Sequence, residues 1–483
     1  MVLLVIALLP AVLALCLSRV KKREAREACA FAVTCLTSLA VGWAMITGAG
    51  SEAIELFRLS DGFRFVLRLD GAGKVYIGVA AILWPLAVLY AIEYMRHEHR
   101  EGKFFTWYIF TYGAAILLAS ADNLFTLYIA YEFLTLCTVP LVWHEKNEES
   151  NRAALQYMLF LIGGAALGFV AMVGLNAWGV GDFQRSLAEI AGADGTWFQI
   201  LCLLGFLGFG VKAAMLPLCH WLPTASVAPT PVTALLHAVA VVNAGVFAVT
   251  RFLYYALPPS ALRGTWVQTA MLILSAATIV YGAVRAVREQ HVKRRLAWST
   301  VSNLSYMLFG LSLLTEQGLT AGLSHMVFHS FMKIILFFCA GTVMVQTGRT
   351  QLKQMHGLGR EMPLTFLCFT LAGVSLLGVP PLPGFVSKYA LVTAAFEQGS
   401  ALAIVGAVAL LIAAVLTAIY IFTVVYPAFF MKLHTEMGET LSGDPGWRMK
   451  ASFILLSILL ILAGVFAGRI MTYLTELAGG VFS

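Results

Sequence analysis

Charge is what this sequence has least of. Asp, Glu, Lys and Arg make up 12% of its 483 residues, while hydrophobic residues make up 60%. Soluble domains carry about 25% charge, so an ordinary soluble globular fold is excluded and an all-α polytopic membrane protein is indicated. Long polar stretches are also absent. The longest, near 49–71, 178–197 and 431–449, are roughly 20 residues each, with no room for a nucleotide-binding domain. Neither a Walker A nor a Rossmann glycine pattern occurs. No two of the eight cysteines (Cys16, Cys29, Cys35, Cys137, Cys202, Cys219, Cys339 and Cys368) form a CxxC pair, and most lie in apolar runs. They read as small buried hydrophobes rather than iron–sulfur or zinc ligands. The expectation is a chain with no cofactor and no metal centre of its own. A signal-peptide pattern is missing too. The apolar run 2–17 precedes its positive cluster, the reverse of the usual order, so it reads as a retained first helix.

What is present is a series of apolar runs, each near the roughly 20 residues that a bilayer requires. Fourteen are expected: 2–17, 28–48, 72–94, 105–120, 123–143, 153–177, 198–217, 230–255, 266–287, 296–314, 320–345, 363–396, 401–430 and 450–475. The twelfth is too long for one simple helix, and GVPPLPG (378–384) divides it through Pro380, Pro381 and Pro383. Fourteen spans place both termini on one side. Of the 32 Lys and Arg residues, 21 fall in one alternate set of ends and loops and 8 in the other. The positive-inside rule then puts the 21-charge face in the cytoplasm of a prokaryotic cell and both termini outside. The net charge of +7 is loop topology and implies no nucleic-acid partner.

Three lysines remain: Lys212, Lys333 and Lys388, all deep in apolar spans. An ionisable residue at membrane depth is costly and marks a functional site by default. Lys212 precedes Pro217, which is expected to break the seventh helix, and Lys388 follows the twelfth-helix prolines. Broken helices expose backbone dipoles and admit water. Two interrupted spans, five apart in order, suggest inverted five-helix repeats over 105–255 and 266–430, flanked by 1–104 and 431–483. Glu132 is the carboxylate deep in a span, while Asp122 and Glu93 lie near span ends. It either pairs structurally with a lysine or hydroxyl, or takes part in proton movement. In the eleventh span His325, His329 and Lys333 share one helix face at i, i+4, i+8. Two such histidines can bind zinc, but no third ligand follows at helical spacing. A plain polar stripe is another reading. A proton relay fits the residue types best, since His titrates near neutrality. His237 in the eighth span extends the row, and Ser299, Ser302 and Asn303 in the tenth can hold water or serve as helix contacts.

The motifs YEFLTL around Glu132, GVKAAMLPLCHWLPTASVAPTPVTALLHA, VKRRLAWSTVSNLSYM, HMVFHSFMKIILFFCAG and GVPPLPGFVSKYALV together resemble the proton-translocating, antiporter-like subunits. That family is shared by respiratory complex I, energy-converting membrane hydrogenases and Mrp-type sodium/proton antiporters. The resemblance covers roughly 70–430. It implies fourteen helices, two inverted five-helix repeats and broken helices 7 and 12. It further implies a charge pair of Glu132 and Lys212, a central hydrated axis of His237, His325, His329 and Lys333, and Lys388 as terminal lysine of the second half. The chain also departs from some members. Asn243 stands where they have lysine, so His237 is the titratable group of the eighth helix, as in the longest complex I member. That member carries a long C-terminal lateral helix, whereas this chain stops soon after its fourteenth span.

The function expected is proton translocation as a subunit of a redox-driven complex I-like or membrane hydrogenase complex. The alternative is a D-type subunit of an Mrp sodium/proton antiporter without redox chemistry. Either implies other membrane subunits as partners, antiporter-like paralogues among them, with the lipid bilayer around them and protons or sodium as cargo. A mere scaffold has little reason to bury three lysines and a glutamate.

Overall fold

A computed structural model describes residues 2–183, 195–433 and 443–482. Arg185, one of the eight charges of the smaller set, lies outside them. The chain folds as a helical bundle: α1 Val2–Leu17, α2 Arg23–Thr47, α3 Gly71–Tyr94, α4 Glu101–Ala119, α5 Leu124–Val142, α6 Glu148–Leu175, α7 Thr196–Gly210, α8 Trp221–Ala225, α9 Thr230–Ala238, α10 Val241–Arg251, α11 Trp266–Arg288, α12 Val292–Ser312, α13 Glu316–Thr347, α14 Leu358–Glu361, α15 Pro363–Leu377, α16 Pro383–Gln398, α17 Ala401–Phe430, α18 Trp447–Val465 and α19 Ala467–Phe482. Among the described residues, nine helical stretches are long and apolar enough to cross a membrane. α1, α7 and α15 are shorter apolar helices.

The core runs along α9, α10, α12 and α13. Every residue of α9 and α10 is buried, as is every residue of α13 from Gly318 to Val343. These helices are surrounded by protein, so they show no single apolar stripe. α17 differs: Leu411, Val415, Ile419 and Phe422 stand exposed on a helix with almost no polar residue, the composition of a lipid-facing wall.

Helix starts are sealed by side chains. Asp70, Asn123 and Thr315 accept from the backbone of Gly73, Thr126 and Gly318 at 2.9, 2.8 and 3.0 Å, capping α3, α5 and α13. Loop charges gather on two faces. On one, buried Glu27 of α2 accepts from Arg96 at 2.7 Å, Arg448 at 3.0 Å and Arg23 at 3.1 Å. Glu93 there caps α18, accepting from the backbone of Arg448 and Met449 at 3.0 and 3.1 Å. On the other, Arg68 meets Asp122 at 2.8 Å, and Arg251 meets Asp70.

Three expectations need correction. The chain is not wholly helical: β1 Ile54–Ser60 and β2 Phe63–Leu67 form an antiparallel hairpin, with Ile54 opposite Leu67 and Arg58 opposite Arg64. Its turn is Asp61-Gly62 between alternating apolar residues, a strong hairpin signal. Backbone bonds from Val66 to Thr126 Oγ1 (2.8 Å) and from Arg68 to the Ser120 carbonyl (2.7 Å) fasten it to the bundle. The fourteenth span, expected over 450–475, ends at Val465, and α19 follows as a separate amphipathic helix. α19 crosses the start of α3, where a Cβ on Gly71 would stand 2.4 Å from Leu477. The eighth span, read as continuous over 230–255, is interrupted between Ala238 and Val241.

Candidate functional site

The seventh helix opens before its proline. α7 ends at Gly210, turns occupy 211–214, and Ala214 adopts φ +51°. The break thus begins seven residues ahead of Pro217, not at it. Trp221 Nε1 holds the released carbonyl of Val211 at 2.9 Å, and the backbone of Leu216 finds Thr278 Oγ1 at 3.1 Å. Lys212 stands in this unwound turn with no exposed surface. Its ammonium donates to the Tyr131 carbonyl and lies 3.4 Å above that ring. Gly245 of α10 makes this possible: a Cβ there would come within 2.4 Å of the Ala213 nitrogen.

Glu132 is half-buried beside Tyr131, and its Oε1 has no protein partner. No ion pair joins it to Lys212 within 4.0 Å, so the pair implied by the family resemblance stands open, one residue apart.

His237 sits in the last turn of α9, just before the second break. Its Nε2 meets Ser226 Oγ at 3.3 Å, and Nδ1 has no protein partner. Asn243 Nδ2 takes the freed Ala238 carbonyl at 2.9 Å and Ser330 Oγ of α13 at 2.8 Å. Tyr76 donates to the Ala240 carbonyl at 2.9 Å. These bonds satisfy the backbone that the break releases. No proline or glycine announces this interruption in the sequence.

α13 carries the middle of the row. Lys333 donates to the Leu296 carbonyl at 3.0 Å and to Ser299 Oγ, both on α12. His329 is fully buried and neither ring nitrogen has a protein partner. Its ring lies 5.9 Å from that of His325. His325 turns Nδ1 to Ser387 Oγ at 2.9 Å and Nε2 to Asn303 Oδ1 at 3.2 Å, so neither nitrogen is directed at a ligand shared with His329.

The twelfth helix breaks where its prolines lie. α15 ends at Leu377, Gly378 adopts φ +98°, Pro380 and Pro381 occupy the connector, and Pro383 opens α16 at its first position. Lys388, half-buried in α16, donates to the Leu377 carbonyl at 3.2 Å and lies 5.3 Å from the Tyr306 ring. Its ammonium therefore caps the carbonyl end of the first half-helix, where the dipole favours positive charge.

Lys293 is one of the 21 charges expected in ends and loops, yet it is buried in the first turn of α12 and donates to the Ala228 carbonyl at 2.7 Å. The cue available in sequence was its place three residues before Leu296, whose carbonyl meets Lys333. Nearby, a cavity of about 420 Å³ is lined by Glu98, His99, Arg100, His144, Glu145 and Asn147. Burial, reinforced by Glu145, raises the Glu98 carboxyl above its usual range, and Lys293 opposes this.

Chemically, the site is a set of buried amines and imidazoles placed on the α7 turn, α9, α13 and α16, with hydroxyl or amide partners on His237, His325 and Lys333. Atoms without protein partners on Glu132, His237, His329 and Asn243 are places where buried polar groups call for bridging water.

The comparisons agree with this architecture. The family described as "NADH:quinone oxidoreductase/Mrp antiporter, TM" matches residues 121–425. NADH-quinone oxidoreductase subunit L of Mycobacterium tuberculosis is 30% identical over 415 residues, covering 84% of this chain and 63% of that protein. Na(+)/H(+) antiporter subunit A1 of Staphylococcus haemolyticus is 28% identical over 440 residues, covering 86% of this chain and 54% of that protein. The chain thus spans less than two thirds of the length of these relatives. A chain of the membrane-bound sulfane sulfur reductase, an archaeal respiratory membrane complex, has the same fold. Its TM-score is 0.88 at 24% identity, over 100% of this chain and 97% of that one. With its family motifs matched over more than half its length, the chain belongs to the transmembrane NADH:quinone oxidoreductase/Mrp antiporter family.

Proposed function

We propose that this protein is the proton-translocating, antiporter-like subunit of a redox-driven complex, either complex I-like or hydrogenase-like. The observation that carries this reading is the buried row itself. Lys212, His237, His325, His329 and Lys333 have no exposed surface, and they lie between two broken helices that hold Lys212 and Lys388. Burying this many titratable groups in an apolar bundle is costly, and a proton path gives each of them work. In this reading the chain has fourteen membrane helices, with inverted repeats over 105–255 and 266–430. Their support is the matching pair of breaks, each beside a lysine. Glu132 and Lys212 take the signal from a neighbouring subunit, the α12–α13 row passes protons along the membrane, and Lys388 releases them.

The second reading is an Mrp-type sodium/proton antiporter, favoured by the likeness to the antiporter subunit A1. Purifying the intact complex separates the two. Iron–sulfur or nickel proteins alongside this chain support the first, and a set of small hydrophobic antiporter subunits overturns it in favour of the second.

His329→Ala and Lys333→Ala are each expected to slow proton transport severalfold in membrane vesicles, with no zinc bound at His325 and His329. Stoichiometric metal in the purified complex would replace the relay with a metal site.

Orientation is tested by labelling. In a cysteine-depleted background, a cysteine at Gln290, on the arginine-rich face, is expected to react only from the cytoplasm. One at Asp61, at the exposed hairpin tip, is expected to react only from outside. The reverse pattern would invert the bundle and with it the direction of every step.

A further inference from the structure

Arg251 closes α10 on the hairpin face. It is among the largest fully buried side chains, 1% exposed. Its two terminal nitrogens donate to the two oxygens of Asp70. Three rings enclose the guanidinium carbon: Tyr255 at 4.5 Å, Phe247 at 4.9 Å and Phe183 at 5.3 Å. Phe247 stacks at 5.1 Å on Tyr76, whose hydroxyl reaches the break between α9 and α10. From Asn243 outward to Arg251, positions 244–250 (AGVFAVT) carry no titratable group.

The order of charges in the pair is one-sided. Arg251 lies inward, and Asp70, with 14% exposure, lies nearer water. A proton leaving the buried row toward this face meets the positive end first. Arginine cannot accept that proton or pass its own on, because it stays protonated in proteins. The second repeat is built differently on the same face. Beside α16 a cavity of about 300 Å³ is lined by Glu316, Thr320 and Glu397, groups that attract cations.

We propose that Arg251 is an electrostatic plug that shuts the hairpin-face end of α10 to protons, so that protons in the first repeat cannot leave there and must continue along the row. This rests on the proton-path reading. Asp70 and the rings are positioning groups that keep the guanidinium in place at low dielectric, where its field acts strongly.

The test is the passive decay of an imposed pH gradient in vesicles holding the intact complex, without turnover. Arg251→Gln is expected to speed that decay at least tenfold. Asp70→Asn breaks the ion pair but keeps the guanidinium, and it is expected to leave the vesicles tight. The double variant, Asp70→Asn with Arg251→Gln, restores a neutral hydrogen-bonding pair and removes the buried unpaired carboxylate that could unfold the single Arg251 variant. It is still expected to leak. A tight double variant, or an Asp70→Asn protein that leaks as fast as Arg251→Gln, would show the pair to be a structural lock and overturn the plug. Turnover-driven pumping in the same vesicles keeps the two ideas apart. If Lys212→Met abolishes pumping while the double variant stays tight, only the plug fails. If Lys212→Met pumps normally, the path reading fails instead.

Discussion

A complex carrying Glu132→Gln is expected to assemble and to pump protons at less than a tenth of the wild-type rate, read as turnover-driven acidification of vesicles. Lys212 donates to the carbonyl of Tyr131, the residue before Glu132, while Glu132 Oε1 waits without a partner. Moving the lysine ammonium from the carbonyl to the carboxylate of the next residue would close the pair. At about 4 Å and an effective dielectric of about 20, closing that pair stabilises the two charges by about 4 kcal/mol. That is roughly three powers of ten in an equilibrium constant. On the proposed reading, a neighbouring subunit that opened and closed the pair would thereby control whether Lys212 holds its proton. Glutamine keeps the shape and loses the charge. Lys212→Met removes the carrier and is expected to be equally impaired. The double variant should be no worse than the worse single one, because the two residues act as a unit. Wild-type pumping by an assembled Glu132→Gln complex would reduce the glutamate to a structural partner.

Lys388→Ala should abolish pumping while leaving the complex intact. The twelfth-helix break does not depend on the lysine. Gly378 at φ +98° and Pro383 at the first position of α16 set it through backbone geometry. Removing the ammonium strands the Leu377 carbonyl, a cost of about 1–3 kcal/mol that a bundle of this size absorbs. What is lost is the exchangeable proton beside the Tyr306 ring. Lys388→Arg sharpens the test: it keeps a positive charge on the carbonyl end but cannot deprotonate. The arginine variant is expected to be as inactive as the alanine one. Pumping restored by arginine would mean that the charge matters and proton transfer at this position does not.

Much of this arrangement could be read from the residues. Counting lysines outside loops isolated Lys212, Lys333 and Lys388, and helical spacing placed His325 and His329 on the Lys333 face. The prolines of GVPPLPG located the twelfth-helix break because there the local sequence does the breaking. The seventh and eighth helices are different. α7 unwinds at Gly210 because Trp221 and Tyr131 bind the open turn and Gly245 lets it pass close by, all contacts made by residues outside the turn. α9 and α10 part where Asn243 and Tyr76 supply substitute bonds, so nothing at positions 239 and 240 betrays the break. Lys293 was hidden by its place at a helix start, where a lysine usually faces water. The hairpin was legible in its Asp-Gly turn, yet a chain so rich in apolar helix leaves a short polar-flanked segment easy to pass over.

Glu27 bears on how such a bundle is made. Its carboxylate is shared by Arg23 on its own helix, by Arg96, and by Arg448, which lies 421 residues further along the chain. Ribosomes deliver these partners one after another. Arg23, four residues before the glutamate, is already in place when the acid emerges, Arg96 follows α3, and Arg448 comes only when α18 is threaded. The acid is therefore never without a counter-charge during insertion, and each arrival excludes more water from the cluster. The finished node records the order of synthesis: early helices are held loosely by the nearest arginine until a late one arrives to lock them.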